Sequence, residues 1–261
     1  MIAESVVAIV VCLLTLWLYS VFVKDVSIID SFWGTCFVIT CWIGVFCGEG
    51  SLERRIFITT LVTIWGLRLS IHLLVRNHGQ EEDYRYQSMR QRIPYFRFTS
   101  LFVVFGLQGF LAIIISAPLY NQLSSKTSVP TSTDVIGLMV WIFGFVFEAI
   151  GDYQLTAFKS DKKNKGKLLT TGVWKYTRHP NYFGDAMQWW AYYITSLPGG
   201  WWTIFSPALM TFLLLKISGV SLLEQKMSKS KPGYEQYQKN TGAFLPSLTA
   251  IGKDLTSILN K

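Results

Sequence analysis

Residues 167–185 read Lys167-Leu-Leu-Thr-Thr-Gly-Val-Trp-Lys-Tyr-Thr-Arg-His-Pro-Asn-Tyr-Phe-Gly-Asp185 and form the densest polar patch of an otherwise apolar chain. Pro180 excludes a continuous helix through this stretch, because its ring clashes with the preceding turn. It favours an extended His179 and itself suits the first turn of the next helix. The sequence therefore predicts a basic elbow leading into a helix N-terminus, where backbone amides favour an anion such as a phosphate. A basic loop lying on lipid headgroups is the alternative.

The composition of the chain is that of a membrane protein. Of 261 residues, 51% are hydrophobic and 15% are charged, whereas a soluble domain carries about 25% charged residues. The net charge of +8 is then better explained by cytoplasmic loops and anionic lipids than by nucleic acid. The first apolar run, Val6 to Val23, is long enough to remain as a spanning helix, so we expect no cleaved signal peptide.

Cysteine and histidine usage does not suggest a metal site. The four cysteines lie in apolar runs without a Cys-x-x-Cys pair, and the chain has three histidines. We therefore interpret the cysteines as small hydrophobic residues and expect no metal.

Long apolar runs predict an all-α polytopic membrane bundle of about seven transmembrane helices, since about 20 residues cross a bilayer core. Seven spans place most Lys and Arg on one side, which puts the N-terminus outside or in the lumen and the C-terminus in the cytoplasm. We expect residues 1–261 to form a single domain. The predicted spans are about Ser5–Val23, Ser31–Cys47, Ile56–Val75, Leu101–Leu119, Val135–Leu155, Tyr182–Leu197 and Trp201–Val220.

Ionisable residues inside these spans are costly and need an explanation. Glu148 and Asp152 are four residues apart in the fifth span, so they project from one helix face. We expect them to line a polar cavity with the third span; a structural ion pair with Arg68 or His72 is the alternative. Asp30, at the start of the second span, is either functional or the N-cap of its helix.

Several segments together resemble the steroid 5-alpha-reductase-like membrane proteins, and most closely the branch known as DUF1295. The resemblance covers about residues 25–246, with a reductase-like C-terminal part at 134–246. The matching segments are Asp25–Gly34, Trp65–Leu69, Glu82–Tyr86, Leu107–Gly109, Thr171–Asp185 and Tyr234–Pro246.

This resemblance implies an enzyme that uses NADPH to reduce a carbon–carbon double bond conjugated to a ketone in a steroid or another lipid. Lys159 and Lys167 replace arginines of the relatives, which keeps the charge but loses bidentate geometry. The position of Glu148 is an asparagine in the steroid enzymes. The cofactor-binding residues that the resemblance implies are Glu148, Asp152, Lys159, Lys167, Tyr176, Arg178, His179, Asn181, Tyr182, Asp185 and Tyr237.

Asp30 and Arg68 are the candidate catalytic residues. By resemblance, Asp30 lies roughly where the relatives carry a glutamate that protonates or polarises the substrate ketone. As an acid it must be protonated at neutral pH, which burial in an apolar site favours. The expected partners are membrane lipids and a lipid-soluble substrate, with no nucleic acid. The expected membrane is the endoplasmic reticulum in a eukaryote or the inner membrane in a bacterium.

Two other functions stay open. Arg-His-Pro followed by an aromatic residue and glycine also occurs in membrane methyltransferases that use S-adenosylmethionine. Those enzymes usually carry a Glu-Glu pair after the last span, whereas Leu223-Glu-Gln-Lys226 has a single glutamate. A non-catalytic lipid-binding protein would place polar residues on both sides of the bilayer, while the charges here crowd one side.

Overall fold

The computed structural model describes residues 1–217 and 219–247, and in this part of the chain it contains helices and no strands. This confirms the predicted all-α class. The α-helices are α1 Ile2–Val23, α2 Ile28–Cys47, α3 Leu52–Asn77, α4 Tyr84–Arg92, α5 Phe96–Ser100, α6 Leu107–Ile115, α7 Ala117–Ser124, α8 Ser132–Ser160, α9 Pro180–Gly200, α10 Phe205–Phe212, α11 Val220–Ser230 and α12 Tyr234–Asn240.

Six helical stretches of the described chain are long and apolar enough to cross a membrane. The last, Pro180–Ile217, leaves helical geometry at Pro198 and Gly199, which is where the sequence separates the sixth and seventh predicted spans. The stretch Phe96–Ile115 is continuous but contains a wide π-helical turn at Leu101–Gly106 between α5 and α6. The count of seven and the orientation stay predictions.

The chain divides into two compact units. The first contains Met1–Thr131 and Ser196–Ser206, and the second contains Ser132–Thr195 and the chain from Pro207 onward. The assignment of residues 1–261 to a single domain remains a prediction.

Close packing of α2 on α3 organises the first unit. A Cβ atom on Gly34 would lie 2.5 Å from the carbonyl oxygen of Gly66, so only small residues allow this approach. Phe37 and Trp65 are fully buried beside the crossing, with ring centroids 5.9 Å apart. The loop before α2 is tied to the segment before α4, because the amide of Asp83 donates to the Ser27 hydroxyl at 2.8 Å.

The second unit is built on a similar glycine crossing between α8 and α9. A Cβ atom on Gly184 would lie 2.5 Å from the carbonyl oxygen of Gly144, and one on Gly151 would meet Pro180 at 3.1 Å. These contacts let the two helix backbones approach closely. As a result, polar side chains of α8 lie directly against the first turns of α9.

Candidate active site

The elbow forms as the sequence predicts, with α9 beginning at Pro180. A 3₁₀ turn at Gly172–Lys175 precedes it. The turn is fastened to α8, since the amide of Val173 donates to Gln154 at 3.0 Å and the indole of Trp174 donates to the carbonyl of Gly151 at 3.1 Å. Two hydrogen bonds therefore attach the elbow to α8.

The C-terminal tail, residues 231–247, packs along the elbow. The amide of Arg178 donates to the carbonyl of Gly242 at 2.9 Å, and the amide of Ser247 donates to the carbonyl of Tyr176 at 2.9 Å. The Tyr237 hydroxyl donates to the carbonyl of Trp174. Tyr176 and Tyr237, predicted as site residues from distant parts of the sequence, are thus both in the elbow–tail contact.

Most hydrogen-bond donors of the Arg178 guanidinium have partners within the protein. Its Nε and Nη2 contact Glu224 at 2.8 and 2.7 Å, and Nη1 donates to the carbonyls of Gln238 and Thr241. The residue is 8% exposed. Four of the five guanidinium N–H groups therefore have partners in the chain.

His179 lies beside the same carboxylate. Its Nε2 is 3.2 Å from Glu224, and its ring stacks on Tyr182 at 5.7 Å between centroids. Burial alone would raise the pKa of Glu224, but hydrogen bonds from His179 and Arg178 and the Arg178 charge lower that pKa to about 2. The sequence argument missed Glu224 as a site residue, because 45 residues separate it from His179 and no local pattern joins them.

Buried and half-buried polar side chains of α8 and α9 form a second part of the site. The Asn181 amide donates to Asp152 at 3.1 Å, and the Gln188 amide donates to Glu148 at 2.5 Å. Gln188 is fully buried, and its Oε1 has no hydrogen-bond partner among the described residues. Asp185, one turn after Asn181, is also buried. The sequence argument did not identify Gln188 as a site residue, because a lone glutamine in an apolar run usually makes a helix–helix contact.

The two predicted lysine ligands lie outside this buried cluster. Lys159 is exposed at the end of α8, and Lys167 is exposed in the following loop. A cavity of about 510 Å³ lies at α11 and α12 of the same unit. Its lining residues are Ser221, Glu224, Gln225, Ser228 and Gln238.

Asp30 belongs to a polar cluster in the first unit. Its carboxylate contacts the Arg85 guanidinium at 2.6 Å, accepts from the Tyr86 hydroxyl at 2.6 Å and accepts from the Gln108 amide at 3.2 Å. Ser27 holds the N-cap position of α2, so Asp30 is not the helix cap. Its carboxylate instead joins α2 to α4 and α6.

Tyr86 supplies the hydroxyl group of this cluster. The sequence argument did not identify it as a site residue. It is buried, and besides donating to Asp30 it accepts from the Gln108 amide at 3.1 Å. Burial, followed by the charge of Asp30, raises the pKa of Tyr86. Arg68 lies partly buried on α3 of the same unit, and its catalytic role stays a prediction.

The sequence profile of a family described as "Protein of unknown function (DUF1295)" matches residues 16–241. The chain belongs to the DUF1295 family. This DUF1295 protein is also similar to a 3-oxo-5-alpha-steroid 4-dehydrogenase 1 of Macaca fascicularis, with 25% identity over 114 residues. That match spans 44% of the chain and 41% of the relative, so the chain covers about two fifths of the relative's length. No solved structure matches significantly.

Both matches support membership of a steroid 5-alpha-reductase-like family, as the motifs predicted. The apolar helical stretches further indicate an integral membrane protein. Neither comparison favours the methyltransferase or the non-catalytic alternative.

Proposed function

We propose that this DUF1295 protein is a membrane reductase that uses NADPH to reduce a carbon–carbon double bond conjugated to a ketone in a lipid-soluble substrate. The observation that carries the proposal is the polar face of α8 and α9, where the buried Glu148, Asp152 and Gln188 and the half-buried Asn181 lie on apolar helices. Polar groups of this kind inside a membrane mark functional sites. In a eukaryotic cell the enzyme would reside in the endoplasmic reticulum membrane.

The residues of this face fit a nicotinamide cofactor. Oε1 of Gln188 is a buried acceptor without a partner in the described chain, and a carboxamide N–H is a matching donor. Asp152 and Asn181 add a carboxylate and an amide about two helical turns away, at the start of α9. When bound, NADPH supplies a hydride. The exposed Lys159 and Lys167 and the N-terminal amides of α9 supply positive charge for its phosphates.

Tyr86 is the residue we assign to the substrate ketone. Negative charge develops on that oxygen during reduction, and a preorganised donor stabilises it. The Asp30 carboxylate accepts three contacts in the structure, from Arg85, Tyr86 and Gln108. Asp30 is therefore suited to hold Tyr86, whose single O–H proton it accepts in the structure. The phenol would turn that proton to the ketone when the substrate binds.

Cofactor binding to detergent-purified protein tests the proposal. A ligand at about 100 times its dissociation constant adds about 2.7 kcal/mol of stability. We expect thermal stabilisation by NADPH, its loss in Asn181→Ala, and its retention in Gln236→Ala, a control at an exposed residue of α12. Stabilisation by S-adenosylmethionine alone, or by neither ligand, would contradict the proposal.

Turnover is tested next with a 3-oxo steroid carrying a 4,5 double bond, a probe chosen from the name of the Macaca relative. Oxidation of NADPH that depends on the steroid supports a steroid substrate. If NADPH binds without turnover, a panel of other enone lipids separates a wrong substrate from a wrong reaction.

A further inference from the structure

One carboxylate oxygen of Glu224 contacts two basic side chains of the elbow, those of Arg178 and His179. Oε1 of Glu224 lies 2.8 and 2.7 Å from Nε and Nη2 of Arg178, and 3.2 Å from Nε2 of His179. The other oxygen, Oε2, accepts from the Gln238 amide at 3.2 Å. Glu224 on α11 therefore connects the elbow with α12 of the tail.

This contact determines which ring nitrogen of His179 carries a proton. A carboxylate paired with a guanidinium is ionised and can only accept hydrogen bonds. Nε2 of His179 must then be the N–H donor, whether the ring is neutral or protonated. In the neutral ring the lone pair consequently lies on Nδ1.

Nδ1 has no hydrogen-bond partner in residues 1–217 and 219–247, although His179 is only 5% exposed. The ring plane is also fixed, since it stacks on Tyr182 with 16° between the planes. In the neutral ring, Nδ1 is thus an acceptor that the described chain leaves available. A fixed tautomer, a fixed plane and an available acceptor suit a ligand that donates a hydrogen bond.

We propose that Glu224 is a positioning residue for cofactor binding: it holds His179 as the Nε2–H form, so that Nδ1 meets a polar group of the bound dinucleotide. The identity of that ligand rests on the proposed function. The same carboxylate, with the tail carbonyls of Gln238 and Thr241, engages Arg178. His179 rather than Arg178 is then the elbow side chain that meets the cofactor.

Nitrogen-15 NMR of histidine-labelled protein in detergent tests this directly, because the chain has only three histidines. The variants His72→Gln and His78→Gln assign the signals. We expect His179 to show the Nε2–H pattern and its Nδ1 signal to move on addition of NADPH. In Glu224→Gln we expect His179 to show mixed tautomers. NADPH binding should be about 10-fold weaker, which corresponds to the loss of about one charge-assisted hydrogen bond.

Two further variants distinguish an effect on the orientation of His179 from a general effect on folding. Glu224→Asp keeps the carboxylate and should restore the Nε2–H pattern, whereas Glu235→Gln, at an exposed residue of α12, should leave both readouts unchanged. An unaltered tautomer in folded Glu224→Gln would overturn the proposal, and so would an Nδ1 signal that ignores bound NADPH. If wild-type protein binds no NADPH, the proposed function fails, but the tautomer comparison still decides whether Glu224 positions His179.

Discussion

The two polar clusters of this protein each contain an arginine, and the two arginines have different surroundings. In the first unit, Arg85 contacts two carboxylates, Asp30 and Asp83, and its side chain is 27% exposed. In the second unit, Arg178 contacts one carboxylate and two backbone carbonyls, and its side chain is 8% exposed. The first cluster keeps a protonated phenol beside its ion pair, whereas the second uses its ion pair to secure the tail.

This difference separates the roles of the two clusters. A guanidinium bound to backbone carbonyls stabilises a particular chain path, so Arg178 contributes to folding before it contributes to any chemistry. A phenol held between a carboxylate and an amide can turn its proton to a substrate oxygen, so Tyr86 is suited to stabilise developing negative charge there. Variants of each cluster should therefore affect different measurements.

The largest expected effect is on stability, in Arg178→Ala. Removing one partner of a buried ion pair costs about 3 to 5 kcal/mol, because the other charge stays buried and unpaired. Arg85→Ala should cost about 1 kcal/mol, since that pair is more exposed. Denaturant unfolding in detergent measures both, with the exposed Lys239→Ala as control. Equal losses in the two variants would remove the distinction between the clusters.

The next effect is on turnover, in Tyr86→Phe. Loss of a donor to a developing oxyanion lowers kcat by about 100- to 1,000-fold. NADPH affinity should not change. Steady-state kinetics with a reducible enone provides the measurement, and Tyr84→Phe, a more exposed tyrosine of the same helix, is the control. A Tyr86→Phe enzyme with normal kcat would show that the Asp30 cluster is structural.

A smaller effect is expected on cofactor affinity, in Gln188→Leu. Loss of an acceptor for the cofactor amide should raise the Kd for NADPH by about 10-fold, the value of roughly one hydrogen bond. Calorimetry on purified protein gives the Kd. Gln236→Leu, at an exposed position of α12, is the control. Unchanged affinity in Gln188→Leu would exclude this residue from the cofactor site.

The last prediction concerns how stability depends on pH through Glu224. Its pKa of about 2 is below the ordinary 4.5, so its stabilising contribution is present above about pH 4.5 and is lost as the pH falls toward 2. Thermal midpoints of wild type and Glu224→Gln should therefore differ at pH 6 and converge toward pH 3. The Glu235→Gln variant should follow wild type throughout. A constant gap between wild type and Glu224→Gln would show that charge is not the reason for the contact.

The sequence predicted the helical membrane class, because hydropathy over a bilayer-length window is a local property. It also predicted the elbow and the start of α9, since proline acts on its immediate neighbours. The helix ends were less accurate: the fifth predicted span, Val135–Leu155, extends in the structure to Ser132–Ser160. Polar residues continue a helix past its apolar core, and hydropathy does not register them.

Tertiary structure alone decided the partners of the site residues. Glu224 meets His179, and Tyr86 meets Asp30 across 56 positions of the chain, so neither pair leaves a local pattern. Hydropathy, helix periodicity and proline geometry are properties of neighbouring residues, and the sequence determined what depends on them. Which carboxylate neutralises which arginine depends on how helices distant in sequence pack, and only the folded chain determines that.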